Sequence, residues 1–203
     1  YTIAYTLSLH DALPICGRIA LVHAGASGVG TAAIQICKAI GARVAVTCST
    51  GKVQACKNLG ADLVVDYSTQ DFVEEVKKFT NGKGVDTILD VIGGDYVDRN
   101  IASLALKGCI VQVGTMAGPP PAMNLGGLMF KRARLVGTVL RARPLDEKIA
   151  ISQRFAAEML PLFATGALKP VIDSRYEFSD IAIAHEHMAK NANAGKIVID
   201  ISR

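Results

Sequence analysis

The sequence predicts an α/β fold, a parallel sheet doubly wound by helices on both faces. Three observations predict it. Short runs of Val, Ile and Leu alternate with stretches whose apolar residues recur at helical spacing, the order that right-handed strand–helix–strand units require. The first such run, Ile19–Val22, ends in a small-residue turn that opens a helix with Val29, Ala33, Ile36 and Ile40 on one face. Half of the 203 residues are apolar, 19 are Gly and only 5% are aromatic. That composition suits strands buried on both faces and packed through Val, Ile, Leu and Ala.

The turn after the first strand, Ala24-Gly-Ala-Ser-Gly-Val-Gly30, has the glycine spacing and the strand-to-helix setting of a dinucleotide-binding loop. Gly25 allows a tight turn, Gly28 lets the backbone approach a pyrophosphate, and Gly30 lets the helix pack on the strand. Free N–H groups of the first helical turn, with the helix dipole behind them, then face the anion. Gly25, Ala26, Ser27, Gly28, Val29 and Gly30 are therefore candidate cofactor contacts. A glycine-rich turn without a ligand is the bland alternative; the unbroken order of strand, turn, helix and second strand favours the dinucleotide.

The second strand, Arg43–Cys48, bears on which dinucleotide. An enzyme that uses NAD usually places Asp or Glu at this strand's end, about 20 residues past the glycines, to hold the ribose 2′-hydroxyl. Thr47-Cys-Ser-Thr-Gly-Lys52 holds no acid, and the first carboxylate after the glycines is Asp62. Ser49 and Lys52 can instead donate to a 2′-phosphate that an acid would repel. Lys52 could also be a solvated residue opening the next helix, although a lysine in a first turn opposes the dipole. The reading is NADP over NAD.

The remaining elements follow in order. Leu63–Asp66 is the third strand. Tyr67 after it either stacks on adenine, donates near the 2′-phosphate, or is a surface tyrosine. Ser68-Thr-Gln-Asp71 is a capping-box variant opening a helix through Phe72, Val76 and Phe79. Residues 85–92 are the fourth strand, broken by Gly93 and Gly94 toward a helix over 96–104. Residues 109–113 are the fifth strand, followed by Gly114, Thr115 and Met116 and a rigid loop, Gly118-Pro-Pro-Pro121. Residues 135–140 are the sixth strand. Residues 145–165 read as one helix with Ile149, Phe155, Leu160 and Phe163 inward, kinked at Pro161 and ended by Gly166. Ser179 and Asp180 cap a helix to about residue 190, and residues 196–201 are a last strand. Ligands of such sheets lie outside the carboxyl ends of the strands. Gly114, Thr115 and Met116, at the nicotinamide end, and Val139 and Leu140 thus join the candidate row. Asp90 and His23 read as structural hydrogen-bonding residues inside or at the end of strands.

The residues now on the page resemble a family. Val22-His-Ala-Gly-Ala-Ser-Gly-Val-Gly-Thr-Ala-Ala-Ile-Gln35, Lys57-Asn-Leu-Gly-Ala61, Asp66-Tyr67, Ile88-Leu-Asp-Val-Ile-Gly-Gly94, Phe130-Lys-Arg132, Leu160-Pro-Leu-Phe163 and Asn193-Ala-Gly-Lys-Ile-Val198 are similar to the zinc-independent quinone oxidoreductases. These are a branch of the medium-chain dehydrogenase/reductases. The resemblance runs in register from residue 17 to 203. It implies a Rossmann NADP-binding domain over 17–165 and hydride transfer from NADPH to a quinone or conjugated carbonyl compound. It also supports Tyr67 as a cofactor residue. An enoyl thioester reductase is one alternative, and an NADPH-binding module without turnover is another. No side chain stands out as proton donor or nucleophile. The resemblance further implies a GroES-like barrel domain, nearly all of it missing here, onto which 166–203 would pack, so that the last strand would lack its usual neighbours. Finally, it implies a homodimer in which the edge at 135–140 pairs with its symmetry mate.

Residues 1–16 do not fit that pattern and lack the basic stretch and apolar core of a secretory signal. They are read as a non-native or truncated start. No apolar run approaches the length of a membrane span. A net charge of +4 and one loose basic group, Lys131, Arg132, Arg134, Arg141 and Arg143, argue against a nucleic-acid surface, which would need a clustered stripe. Five scattered cysteines (Cys16, Cys37, Cys48, Cys56 and Cys109) and four histidines show no metal-ligand spacing. An odd number of dispersed thiols suits the reducing cytoplasm.

Overall fold

The computed structural model describes residues 17–119 and 122–201; the segment 1–16 and part of the Pro-rich loop lie outside them. Six parallel strands, β1 (Ile19–Val22), β2 (Arg43–Cys48), β3 (Leu63–Asp66), β4 (Val85–Asp90), β5 (Leu104–Gln112) and β6 (Arg134–Gly137), form one sheet in the order β3-β2-β1-β4-β5-β6. The order reverses between β1 and β4, which makes a Rossmann sheet with its ligand crevice at that switch point.

Alternation along the strands explains why both faces are covered. Ala20, Val22, Val44, Val46, Leu89 and Val111 bury on one face, against Ala33, Ile34 and Cys37 of helix α1 (Gly28–Ala39). Leu21, Ala45, Ile88 and Ile110 bury on the other. There they meet Phe72 and Val76 of α3 (Phe72–Phe79) and Val97 and Ile101 of α4 (Tyr96–Ser103). Successive strand residues point to opposite faces, so an unbroken apolar run needs a helix on each side. The short α2 (Val53–Asn58) follows β2 and places Cys56 in the first of these layers.

Several boundaries differ from the sequence expectations. Asp71, not Ser68, caps α3, accepting from the Val73 and Glu74 amides at 2.7 and 3.2 Å; Ser68 is drawn instead to Asp66. The fourth strand stops at Asp90 and the sixth at Gly137, so Val139 and Leu140 leave the sheet. Arg143 holds them out: it donates to the Thr138 hydroxyl at 2.6 Å and to the Val139 carbonyl at 3.2 Å, closing a turn. The predicted helix over 145–165 is two helices, α6 (Leu145–Glu158) and α7 (Leu160–Ala164), broken at Met159. Pro161 sits in the first turn of α7, where its missing N–H needs no acceptor. Phe155 and Phe163 face inward as expected, but Met159 is the buried centre, with Ile36 and Leu168, while Ile149 and Leu160 stay about half exposed.

Two elements were not expected: the short helix α5 (Leu125–Phe130) and strand β7 (Ile172–Glu177). The helix α8 (Ile181–Ala189) forms where predicted, but Asp180 makes no side-chain cap. The last strand, β8 (Lys196–Asp200), does not lack a neighbour, because β7 pairs with it in parallel from Ile172↔Lys196 to Glu177↔Asp200.

Candidate functional site

The glycine turn is shaped by close approach more than by backbone handedness. Ala24 (φ 54°), not Gly25, takes the left-handed conformation after β1. Gly25 is required for another reason: a Cβ there would lie 2.6 Å from Cβ of Val46 on β2, far inside van der Waals contact. A Cβ on Gly30 would strike the Ala24 carbonyl and the Gly25 backbone, so Gly30 lets α1 start against the strand. Gly28 differs, since the atoms nearest to a Cβ there belong to the Lys196 side chain. Ser27 caps α1, its hydroxyl accepting from the Gly30 amide at 3.0 Å, and no acid occupies the first turn. Ala26 is buried and Val29 half-buried. With the Gly30 amide held by Ser27, the amides of Gly28 and Val29, with no carbonyl ahead of them, are the ones open to an anion.

A partner from the far end of the chain completes this turn. Gly195 donates its N–H to the Ala26 carbonyl at 2.7 Å and bridges Ser27 in parallel. The motif Asn193-Ala-Gly-Lys196 was visible in the sequence, but its separation from the loop concealed the contact.

The ends of β2 and β3 lie side by side, with the Tyr67 amide donating to the Cys48 carbonyl at 3.1 Å. Ser49 opens the 3-10 turn Thr50–Lys52 without spending its hydroxyl on a cap. Lys52 donates to the Asn191 side-chain oxygen at 2.7 Å, a residue sequence reasoning missed. Partial burial pulls its pKa down, and the Asp173 carboxylate opposes that shift. Tyr67 is 47% exposed beside them. Asp66, at the end of β3, is hydrogen-bonded: the Ser68 hydroxyl at 2.6 Å, with Thr50 and the Ser68 amide, holds its carboxyl below the usual range.

A buried polar network ties the crevice floor together. His23, at the end of β1, meets the Thr47 hydroxyl at 3.0 Å through Nδ1 and the Asn100 side-chain oxygen at 2.7 Å through Nε2. Asn100 donates to Asp90 at 2.9 Å, and the other Asp90 oxygen accepts the Ile92 and Gly93 amides. Because Asn100 presents its oxygen, Nε2 carries the proton and Nδ1 accepts from Thr47. Burial lowers the His23 pKa, against the pull of Asp90. Both residues thus serve as the structural hydrogen-bonding groups the sequence suggested.

Beyond β4 the candidate residues form a rim. Met116 and Ala117 donate their amides to the Val91 and Ile92 carbonyls, and Gln112 donates to the Gly114 carbonyl at 2.7 Å. A Cβ on Gly114 would crowd the Val91 carbonyl at 3.1 Å. Thr115 and Met116 are exposed, as is Val139, while Leu140 is half-buried in the turn beyond β6. All the candidates therefore fall at the carboxyl end of the sheet, although Val139 and Leu140 do so from outside any strand.

Among the described residues no three His, Cys, Asp or Glu side chains gather so as to hold a metal ion. Cys37, Cys48, Cys56 and Cys109 are buried free thiols; burial pushes Cys37 up to about 12. The hydrogen bond from Cys56 holds Cys48 down and raises Cys56 in turn.

Residues 28–164 match the family model described as zinc-binding dehydrogenase. Human quinone oxidoreductase is 29% identical over 201 residues, covering 98% of this chain and 59% of the human protein. A mycobacterial protein solved in complex with NADPH superposes with a TM-score of 0.81 at 29% identity, over 98% of this chain and 62% of its own. A solved NAD-dependent alcohol dehydrogenase does so with a TM-score of 0.82 at 28% identity, over 98% and 55%. The chain thus spans a little over half the length of these relatives.

Proposed function

The chain belongs to the zinc-binding dehydrogenase family, and on that premise we propose that it is the nucleotide-binding part of an NADPH-dependent oxidoreductase of quinones or conjugated carbonyl compounds. The observation that supports the cofactor choice is the end of β2: residues 47–52 include no carboxylate, Ser49 keeps its hydroxyl out of the helix cap, and Lys52, held by Asn191 and within the field of Asp173, is the cation there. Structural relatives named for NAD and for NADPH fit this fold about equally well, so the choice rests on these side chains.

The residues fit the cofactor. Gly28 leaves its backbone bare except for a movable lysine, and Ser27 orders the helix start that would receive the diphosphate. Ser49 and Lys52 would hold the 2′-phosphate and Tyr67 the adenosine end. Gly114, Thr115 and Met116, with Val139 and Leu140, would flank the nicotinamide and exclude water from it. When bound, the nicotinamide supplies a hydride to the substrate.

Other features support the rest of the reading. Leu135 on the edge strand β6 is more than a third exposed, which suits pairing of that edge in a homodimer. Lys131 and Arg143 of the basic group turn inward, Lys131 to the Ala102 and Leu104 carbonyls, which argues against a nucleic-acid surface. No helix of the described residues is long and apolar enough to cross a membrane. Unpaired thiols suit the cytoplasm.

Lys52→Ala tests the cofactor choice. NADPH should bind the parent more tightly than NADH, and the variant should lose most of that preference, about 1.5–3 kcal/mol for a charge-assisted hydrogen bond. Equal affinities for the two cofactors in the parent, by fluorescence titration, overturn the assignment.

A further inference from the structure

We propose that Asn191 and Asp173, both from the C-terminal segment, set how strongly the protein prefers a dinucleotide carrying a 2′-phosphate: Asn191 positions the Lys52 ammonium for that phosphate, and Asp173 weakens its hold. Both roles rest on the cofactor reading above, with Lys52 as the 2′-phosphate cation.

Lys52 closes the 3-10 turn at the end of β2, and the residue that meets it is itself fixed by main chain. Helix α8 ends at Ala189. Asn191 follows in the left-handed conformation (φ 50°), its amide donating to the Met188 carbonyl at 2.9 Å. Asparagine is one of the few residues besides glycine that suit this position after a helix. The side-chain oxygen so placed accepts from Lys52 Nζ at 2.7 Å. An ammonium has three donors, so two remain for a ligand. A flexible stem is thereby held at the strand end before the ligand arrives, which lowers the ordering cost of binding. Asn191 does this without bringing a charge.

Asp173, on β7, does bring one, and its charge acts on Lys52. One carboxylate oxygen accepts the Ala194 amide at 2.8 Å, and the other lies 3.5 Å from Nε2 of His187 on α8. The carboxylate is thus fixed where Lys52 feels it as attraction, and a phosphate on Lys52 would feel it as repulsion. The acid missing from the end of β2 is in part replaced from the far end of the chain.

Fluorescence titrations with NADPH, NADH and adenosine 2′-monophosphate, at fixed pH and low salt, test both roles. Asn191→Gly keeps the left-handed turn and removes only the acceptor. It should weaken NADPH and adenosine 2′-monophosphate by the same factor, about threefold to tenfold. NADH should bind as before, and the substitution should have no further effect once Lys52 is replaced by Ala. Asp173→Asn keeps an acceptor for the Ala194 amide and removes the charge. NADPH and adenosine 2′-monophosphate should then bind about two- to fivefold more tightly, with NADH unchanged. A merely structural role would move all three ligands together. A parent-like ratio of NADPH to NADH affinity in Asn191→Gly overturns the assignment, as does a loss shared by NADH. So does unchanged or weaker NADPH binding in Asp173→Asn. If the parent shows no preference, or Lys52→Ala keeps it, the cofactor reading itself falls. If Lys52→Ala loses the preference while the other two variants match the parent, only the roles of Asn191 and Asp173 fall.

Discussion

The two sides of the six-stranded sheet dispose of the same residue types differently. Around β1, β2 and β4, Val, Leu and Ile alternate between two layers of helices and are buried on both faces. Past β5 they are not. Met129 and Phe130 of α5 are 70% and 82% exposed, and Leu135 of β6 and Leu145 at the start of α6 are exposed as well. Periodicity says which residues share a face; it does not say whether anything covers that face. The nucleotide side is closed within the chain, since the C-terminal strand returns to the glycine turn through Gly195. The β6 side presents apolar surface to its surroundings.

The sharpest way to break this contrast is at the closed side. Gly30→Val should destabilise the fold by about 3 kcal/mol or more, because its Cβ meets backbone that cannot yield. In Gly28→Val the nearest atoms belong to the flexible Lys196 side chain, so its melting temperature should stay nearer the parent's than that of Gly30→Val while NADPH binding is lost. Similar melting temperatures for the two variants would show that the turn is looser than its geometry implies.

A smaller effect should appear with pH. The His23 pKa is lowered in the folded chain, whereas an unfolded histidine titrates near 6.5. Protons then bind the unfolded state first, so the stability is present above about pH 6.5 and is lost as pH falls below it. Between neutral pH and about pH 5.5 the loss should grow steadily as the unfolded state takes up its proton. Denaturant melts should record it, and His23→Gln should flatten the dependence; an unchanged slope in that variant would move the effect to another group.

The smallest effect belongs to the open side. Phe130→Ser removes a ring with little burial and should change stability by no more than about 0.5 kcal/mol. A loss as large as that of a core phenylalanine, about 3–5 kcal/mol, would show that this face is covered in solution, as a homodimer through β6 would require.

Much of the candidate site was legible, though for partly mistaken reasons. The glycines stood out by spacing, yet Gly25 is needed to clear Val46 and leaves the left-handed turn to Ala24. Ser49, Lys52 and Tyr67 could be placed together because strands of a doubly wound sheet end on the same side. Val139 and Leu140 were read as strand because an apolar run resembles one; an arginine three or four residues on, bonding to Thr138 and Val139, bends them away. Asn191 gave no local sign of its place beside Lys52, nor Gly195 and Lys196 of theirs beside the glycine turn.

The division follows from the range of the forces involved. Strand and helix identity, the two buried faces and the glycine turn rest on alternation, glycine spacing and capping, which act between residues a few positions apart and so can be read along the chain. Which segment seals the glycine turn, which residue holds Lys52, and which apolar face remains uncovered depend on contacts such as Ala26 with Gly195 and Lys52 with Asn191. Those contacts form only after the chain has closed on itself, and their geometry is set by the packed sheet beneath them.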